Sequence, residues 1–249
     1  MISLIALDGI PEVAPGDDLA ALIAAALAAA GIGLEADDVL VITQKVVSKA
    51  EGRVVELASV TPRAEAREWA GEWGKDPRQV ELVLQESAEV LRMTPTGLII
   101  SRTRHGFVCA NAGVDLSNVG GGEAATLLPV DPDASARGLR ERLGELAGAQ
   151  PGVVISDSFG RPWRNGIVNV AIGCAGLEPL VDLRGTPDVQ GRVMHSTVIA
   201  VADELASAAD LAGGKVAQRP VVLVRGYAYV AGEGVAADLV MDRALDLFP

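Results

Sequence analysis

An acid, two hydroxyls and two guanidinium groups follow one another in Ile155-Ser-Asp-Ser-Phe-Gly-Arg-Pro-Trp-Arg-Asn-Gly166. The apolar run Val153-Val154-Ile155 just before them predicts a short buried β-strand. A strand end would hold Asp157 and Ser158 rigidly, and a Gly/Pro loop beyond them can approach a ligand closely. Oxygen ligands of this kind suit a hard cation, whereas Arg161 and Arg164 suit phosphate or carboxylate. The competing reading is a strand-to-turn junction with an Asx-type cap and two solvated arginines. Composition leaves both readings open.

A second stretch repeats the pattern. His105-Gly-Phe-Val-Cys-Ala-Asn-Ala-Gly-Val-Asp-Leu-Ser-Asn-Val-Gly-Gly-Gly-Glu123 runs from an apolar segment into Asp115, then Asn118 and a glycine run. Two aspartates, with one hydroxyl beside them, are sparse metal ligands. Mg2+ or Mn2+ in phosphoryl transfer tolerates that sparseness, because nucleotide phosphates and water complete the shell. Lys45, Lys49 and Lys215 could neutralise the remaining phosphate charge; the first two stand four apart after Val39-Leu-Val-Ile-Thr43 and would share a face. A solvated lysine pair is the alternative. His105 is read as a turn histidine. The string Gly120-Gly-Gly-Glu-Ala-Ala125 lacks the strand-turn-helix setting of a dinucleotide fingerprint, and the sequence contains no P-loop motif. Taken by themselves, these residues reach metal-assisted phosphate chemistry and go no further.

The elements that must position them alternate irregularly, which predicts a mixed α+β fold. Strands are expected at residues 2–7, 39–43, 97–101, 106–110, 153–155, 167–173 and 220–225. Helices are expected from Asp17 or Asp18 to Gly31, from Pro62 through Trp69 and Trp73, and at 78–92, 134–147, 195–212 and 234–246. The chain has 249 residues, 49% hydrophobic and 22% charged, an ordinary globular composition able to bury a core. Its net charge of −12 argues against a nucleic-acid partner, so any anionic substrate must be met by local cations. Cys109 and Cys174 lie in apolar runs and read as core residues, as a reducing cytoplasm would allow. Neither a signal segment nor an apolar run long enough for a bilayer is seen, so a cytoplasmic protein without membrane contact is expected.

Asn111-Ala-Gly-Val-Asp115 with Asn118, together with Ser156-Asp-Ser-Phe-Gly-Arg-Pro-Trp-Arg164, resembles the coenzyme F-420:L-glutamate ligase family. Thr43-Gln-Lys-Val-Val-Ser-Lys-Ala-Glu-Gly52 and Gly9-Ile-Pro-Glu-Val-Ala-Pro-Gly-Asp17 belong to the same pattern, in order along nearly the whole chain. The resemblance implies a GTP-dependent ligase that joins L-glutamate to the phospholactyl carboxylate of a deazaflavin coenzyme precursor. It also implies extension by γ-linkages, through an acyl phosphate. Mg2+ or Mn2+, two per site, would assist, with room for K+. By resemblance Asp115, Asp157 and Ser158 are metal ligands, while Asn118, Gln44, Lys49 and the Ile10-Pro11-Glu12-Val13 loop touch nucleotide. Lys45 and Lys215 join them as phosphate-neutralising cations. The loop Gly213–Pro220 matches a nucleotide-contacting segment loosely, since Gly213-Gly214 stands where relatives often carry Gly-Gln. Arg161 and Arg164 lie in the signature and are assigned to substrate phosphate, glutamate carboxylate or structure. The family fold implies an intertwined homodimer, and 1–249 reads as a single ligase domain, with room for two interleaved subdomains. Some relatives carry a C-terminal nitroreductase-like domain, which this chain is expected to lack. Two other classes stay open: an amide ligase or kinase-like enzyme acting on a different acid, and a non-catalytic nucleotide-binding module.

Overall fold

Val, Leu and Ile dominate Val39–Thr43, Gly152–Ile155 and Val221–Val224, and β-branched side chains pack well on a pleated surface buried on both sides. The computed structural model describes residues 1–117 and 120–246. In chain order the first half contains β1 (Ser3–Ala6), α1 (Leu19–Ala29), β2 (Val39–Thr43), α2 (Gln44–Ala50) and β3 (Val54–Glu56). Then come α3 (Ala64–Trp73), α4 (Pro77–Glu86), β4 (Ser87–Met93), β5 (Ile99–Thr103), β6 (Val108–Ala110) and β7 (Ala124–Thr126). The second half adds α5 (Pro132–Ala147), β8 (Gly152–Arg161), β9 (Arg164–Ala175), β10 (Val181–Asp182), β11 (Val198–Ile199), α6 (Val201–Gly213) and β12 (Val221–Arg225).

The main sheet has the order β1-β12-β2-β8-β9. It is mixed: β2 and β8 run parallel, and the other neighbours are antiparallel. Alternate side chains feed two cores, one on each face. One holds Leu40, Ile42, Ile155 and Leu223 beneath α1 and α5; the other holds Val39, Val41, Val154 and Val222 beneath α6. A third core, built from Leu57, Val80, Val83, Ile99 and Leu127, joins α3 and α4 to the sheet β4-β5-β6. Trp69 and Trp73 pack on it, with ring centroids 6.3 Å apart.

Helix α6 also protects the outer edge of β9. Asp203 accepts the Ala171 N–H at 2.8 Å, and Ser207 donates to the Asn169 carbonyl at 2.7 Å. One helical turn separates the two side chains, so a single face of α6 occupies backbone groups that would otherwise be unpaired.

Several expected boundaries are corrected. The helix expected at 78–92 stops at Glu86, because Ser87–Met93 pairs with Ile99–Thr103 as a strand. The helix expected from His195 starts at Val201, since the β-branched Val198 and Ile199 pair with Asp182 and Val181. A closing helix at 234–246 is replaced by two 3-10 turns, Ala236–Leu239 and Arg243–Leu245. Asp157 is not at a strand end: β8 continues to Arg161 and turns through Pro162 and Trp163 into β9. The supposed Gly/Pro loop is therefore the far half of a long hairpin. Gly120–Gly122 forms a 3-10 turn ahead of strand β7, not ahead of a helix.

A buried ion pair at Glu81 gives one stability prediction. Its carboxylate accepts from Arg63 Nη2 at 2.8 Å, Arg63 N at 2.9 Å and Gln85 Nε2 at 2.8 Å. Hydrogen bonding to Arg63 outweighs burial and lowers its pKa from 4.5 to about 2. A depressed carboxylate pKa contributes stability above the unfolded value, lost as pH falls through the folded one. Glu81→Gln is expected to cost about 2 kcal/mol at pH 7, discounted because Arg63 is half exposed. In urea titrations the difference from the parent should shrink between pH 4.5 and 2.

Candidate active site

Four chain segments meet at one end of the main sheet, and the topology explains why. β2 and β8 are parallel, so both finish there, with Thr43 opposite Ser156. β1 also finishes there, and β12 begins there, because Ala6 lies opposite Val222. Thr43 N–H donates to the Pro220 carbonyl at 2.9 Å, binding the loop before β12 to the end of β2. α2 starts directly at Gln44, whereas β8 runs on past its partner. Asp157 and Ser158 are thus the first β8 residues without a β2 neighbour. A crevice beyond strand carboxyl ends is where open α/β sheets commonly bind ligands.

Asp115 reaches this end from another direction. Its backbone exchanges hydrogen bonds with Thr126 of β7, at 3.0 and 2.8 Å. Its carboxylate meets Lys45 Nζ at 2.7 Å and accepts from Ser117 N–H at 2.7 Å and Ser117 Oγ at 2.9 Å. Lys45 Nζ also donates to the carbonyl and the hydroxyl of Ser117, both at 2.8 Å. Burial pushes the Asp115 pKa up, but Lys45 and Ser117 outweigh it and hold the carboxyl below its ordinary range.

Asp157 behaves oppositely. Burial raises its pKa to about 6; the Ser158 N–H and Lys215 act against the rise, and Asp115 adds to it. Burial thus disfavours the ionised form of this carboxyl, and a cation bound beside it would favour that form. Ser158, the next residue on the strand, points to the other face. There its hydroxyl contacts Asn169 Oδ1 at 2.7 Å and accepts from Lys215 Nζ at 2.8 Å.

The remaining candidates divide. Lys49 is buried and paired with Glu12, which ties the loop after β1 to α2. Arg219 and Asp8, 2.7 Å apart, tie that loop to the one before β12. Lys45 and Lys49, expected as one cationic face, each meet an acid, Asp115 and Glu12. Gln44 is buried and accepts from Ser48 Oγ at 2.7 Å. In the Ile10–Val13 loop, Val13 is a core residue and Ile10 packs against the same core, while Pro11 and Glu12 are exposed. Gly213 closes α6, and Gly214 follows with φ of 69°, a left-handed value that suits glycine. Arg161 and Arg164 face each other across the hairpin turn, away from the aspartates in sequence register. Asn118 lies outside the described residues. Among the described residues no three His, Cys, Asp or Glu side chains gather as a ready-made metal cluster.

The F420-0:gamma-glutamyl ligase family model matches residues 9–226. The chain belongs to this family. It is 47% identical over 250 residues to a coenzyme F420:L-glutamate ligase of Methanothermobacter thermautotrophicus, covering 99% of this chain and 98% of that one. Ligases of the same description from Methanopyrus kandleri and Archaeoglobus fulgidus are 48% and 40% identical, covering 86% and 99% of this chain and 83% and 96% of theirs. The matched span contains Lys45, Asp115, Asp157, Ser158 and Lys215, while β1 and Asp8 lie just before it.

Within this F420-0:gamma-glutamyl ligase family member, two site neighbours escape a reading of the sequence. Ser117 links Asp115 to Lys45, and Asn169 faces Ser158 across the hairpin; Glu12, expected in the nucleotide loop, pairs with Lys49. Ser117 could have been noticed two residues after Asp115, the spacing of an Asx turn. Asn169 could not, because its role depends on the hairpin register. No helix among the described residues is long and apolar enough to cross a membrane.

Proposed function

We propose that this chain joins L-glutamate to the carboxylate of a coenzyme F-420 precursor, using GTP and a divalent cation, and extends the product through γ-linkages. The observation that carries this reading is the convergence of Lys45, Asp115, Asp157, Ser158 and Lys215 at one sheet end, in a chain of the ligase family. The donor set fits Mg2+ or Mn2+: two carboxylates and a hydroxyl, all oxygen. Asp157 and Ser158 point to opposite faces of β8, and Asp115 is near enough to Asp157 to act on its charge, which suits two cation positions. A bound cation would supply charge neutralisation between phosphate oxygens.

The chain's own residues do the rest. Lys45, beside Asp115, and Lys215, beside Ser158, would hold the terminal phosphate in line with the acceptor carboxylate. Attack of that carboxylate on the terminal phosphorus breaks the bond to GDP and leaves an acyl phosphate. The glutamate amine then forms the amide bond as phosphate departs and the amine loses a proton. Holding these partners in position is the main contribution, which accounts for a site lacking a nucleophilic triad. The β8–β9 hairpin tip, with Trp163 and Ile167 exposed, is the surface we assign to the homodimer.

Mass spectrometry of the deazaflavin after incubation with GTP, Mn2+ and L-glutamate tests the function. The product should gain glutamyl residues while GTP becomes GDP and phosphate. GTP turnover driven by a different acid, with the deazaflavin unchanged, would point to the other ligase class. Lys49→Met should raise the KM for GTP about tenfold, a loss of roughly 1.4 kcal/mol, while its apolar stem keeps the packing. Unchanged GTP kinetics would make Lys49 a structural partner of Glu12.

A further inference from the structure

We propose that Lys45 is a resident counter-ion that closes the Asp115 cation position in the free enzyme and transfers to nucleotide phosphate on binding, so that divalent cation and nucleotide enter as one unit. The inference rests on the functional reading above and adds an order of events to it.

The geometry is that of a small cation held in an oxygen nest. The Lys45 ammonium lies 2.7 Å from Asp115 Oδ2 and 2.8 Å from both the carbonyl and the hydroxyl of Ser117. Three donors thus meet three oxygens, and the hydrogen-bonding capacity of the ammonium is used up. Those oxygens are also the hard ligands a divalent cation would take from this loop. A divalent ion bonded to Asp115 would stand within a few ångströms of the ammonium, and like charges at that range repel. Either the lysine leaves or the ion binds weakly.

Lys45 has somewhere to go. It occupies the first turn of α2, its side chain is 23% exposed, and it is near enough to Asp157 to act, with Lys215, on that carboxyl's charge. An arriving phosphate provides replacement acceptors for the ammonium, and the released Asp115 oxygen then faces the incoming cation. Without nucleotide, leaving Asp115 would exchange a short charged contact for solvent. Closure is therefore the resting state, and linkage makes each ligand strengthen the other.

Titrating Mn2+ into nucleotide-free protein, with free ion followed by electron paramagnetic resonance, tests this. Lys45→Met, which keeps the stem and removes the charge, should bind Mn2+ at least tenfold more tightly than the parent. Lys45→Arg should remain as weak as the parent. Equal Mn2+ affinity in the parent and Lys45→Met would overturn the counter-ion role. Should Lys45→Met fail to fold, Lys45→Gln provides the same comparison. Titrations repeated with GDP separate the two levels of inference. Mn2+ binding that needs GDP in the parent but not in Lys45→Met supports the proposal. Absence of Mn2+ binding in every arm overturns the cation site itself, and the ordering with it.

Discussion

Asp157→Asn is expected to abolish ligation, by a factor of about 1,000 or more, while the ligand-free protein melts at the same temperature or higher. Asn preserves the size of the side chain but removes the negative charge from the proposed cation position, where electrostatic contributions to catalysis commonly reach this scale. The stability half follows from the sign of the pKa shift. Burial raises the Asp157 pKa from 3.8 to about 6, so the folded protein binds a proton more readily than the unfolded chain does. A raised carboxylate pKa costs stability once the group ionises. The cost is absent below about pH 4, grows through pH 6 and persists above it, with a ceiling of roughly 3 kcal/mol. The neutral Asn escapes that cost. In a chain of this size each kcal/mol moves the melting temperature by about 2–4 °C. The gain should therefore appear at pH 7 and fade as pH falls from 6 to 4. A turn-capping Asp would tolerate Asn at full turnover, because the two residues cap almost equally well. Near-normal ligation in Asp157→Asn would remove this residue from the site.

The second large effect concerns nucleotide affinity. GDP should bind about 100-fold more weakly when Mn2+ is withheld, a difference of roughly 2.7 kcal/mol. Asp115 and Asp157 are near enough to raise one another's charge cost, and a phosphate about 5 Å from a carboxylate is repelled by roughly 3 kcal/mol at an effective dielectric near 20. Lys45 and Lys215 offset part of this. A bridging divalent cation reverses its sign. Calorimetric titration of GDP with and without Mn2+ measures the difference directly, and equal affinities would contradict a site organised around the two aspartates.

Much of this arrangement was legible from residue types. Apolar runs located β2, β8 and β12 because buried strands need little else, and Asp18 and Gly31 bounded α1 through ordinary capping chemistry. The misreadings share a cause. Residues 87–93 and 195–200 carry apolar spacings compatible with a helix, but strand partners outside each segment, Ile99–Thr103 and Val181–Asp182, claim part of each. Periodicity within one segment is blind to such partners. Asp115 and Asp157 stood out because acids beside apolar runs are conspicuous. Their charge partners did not: Lys45 meets Asp115 across a separation of 70 residues, and Lys215 meets Ser158 across 57. The alternation that sends Asp157 and Ser158 to opposite faces required knowing that β8 continues as a strand beyond its partner. A loop would have allowed both side chains to point to one ion.

The central claim is that Asp115 and Asp157 together hold the cation that brings nucleotide phosphate to the sheet end. Anomalous diffraction at the manganese edge, from crystals grown with Mn2+ and GDP, tests it most directly. The account predicts a manganese peak bonded to carboxylate oxygens of both aspartates at roughly 2.0–2.2 Å, with phosphate oxygen completing its shell. Manganese bound by GDP alone, with Asp115 still paired to Lys45 and Asp157 uncoordinated, would contradict it.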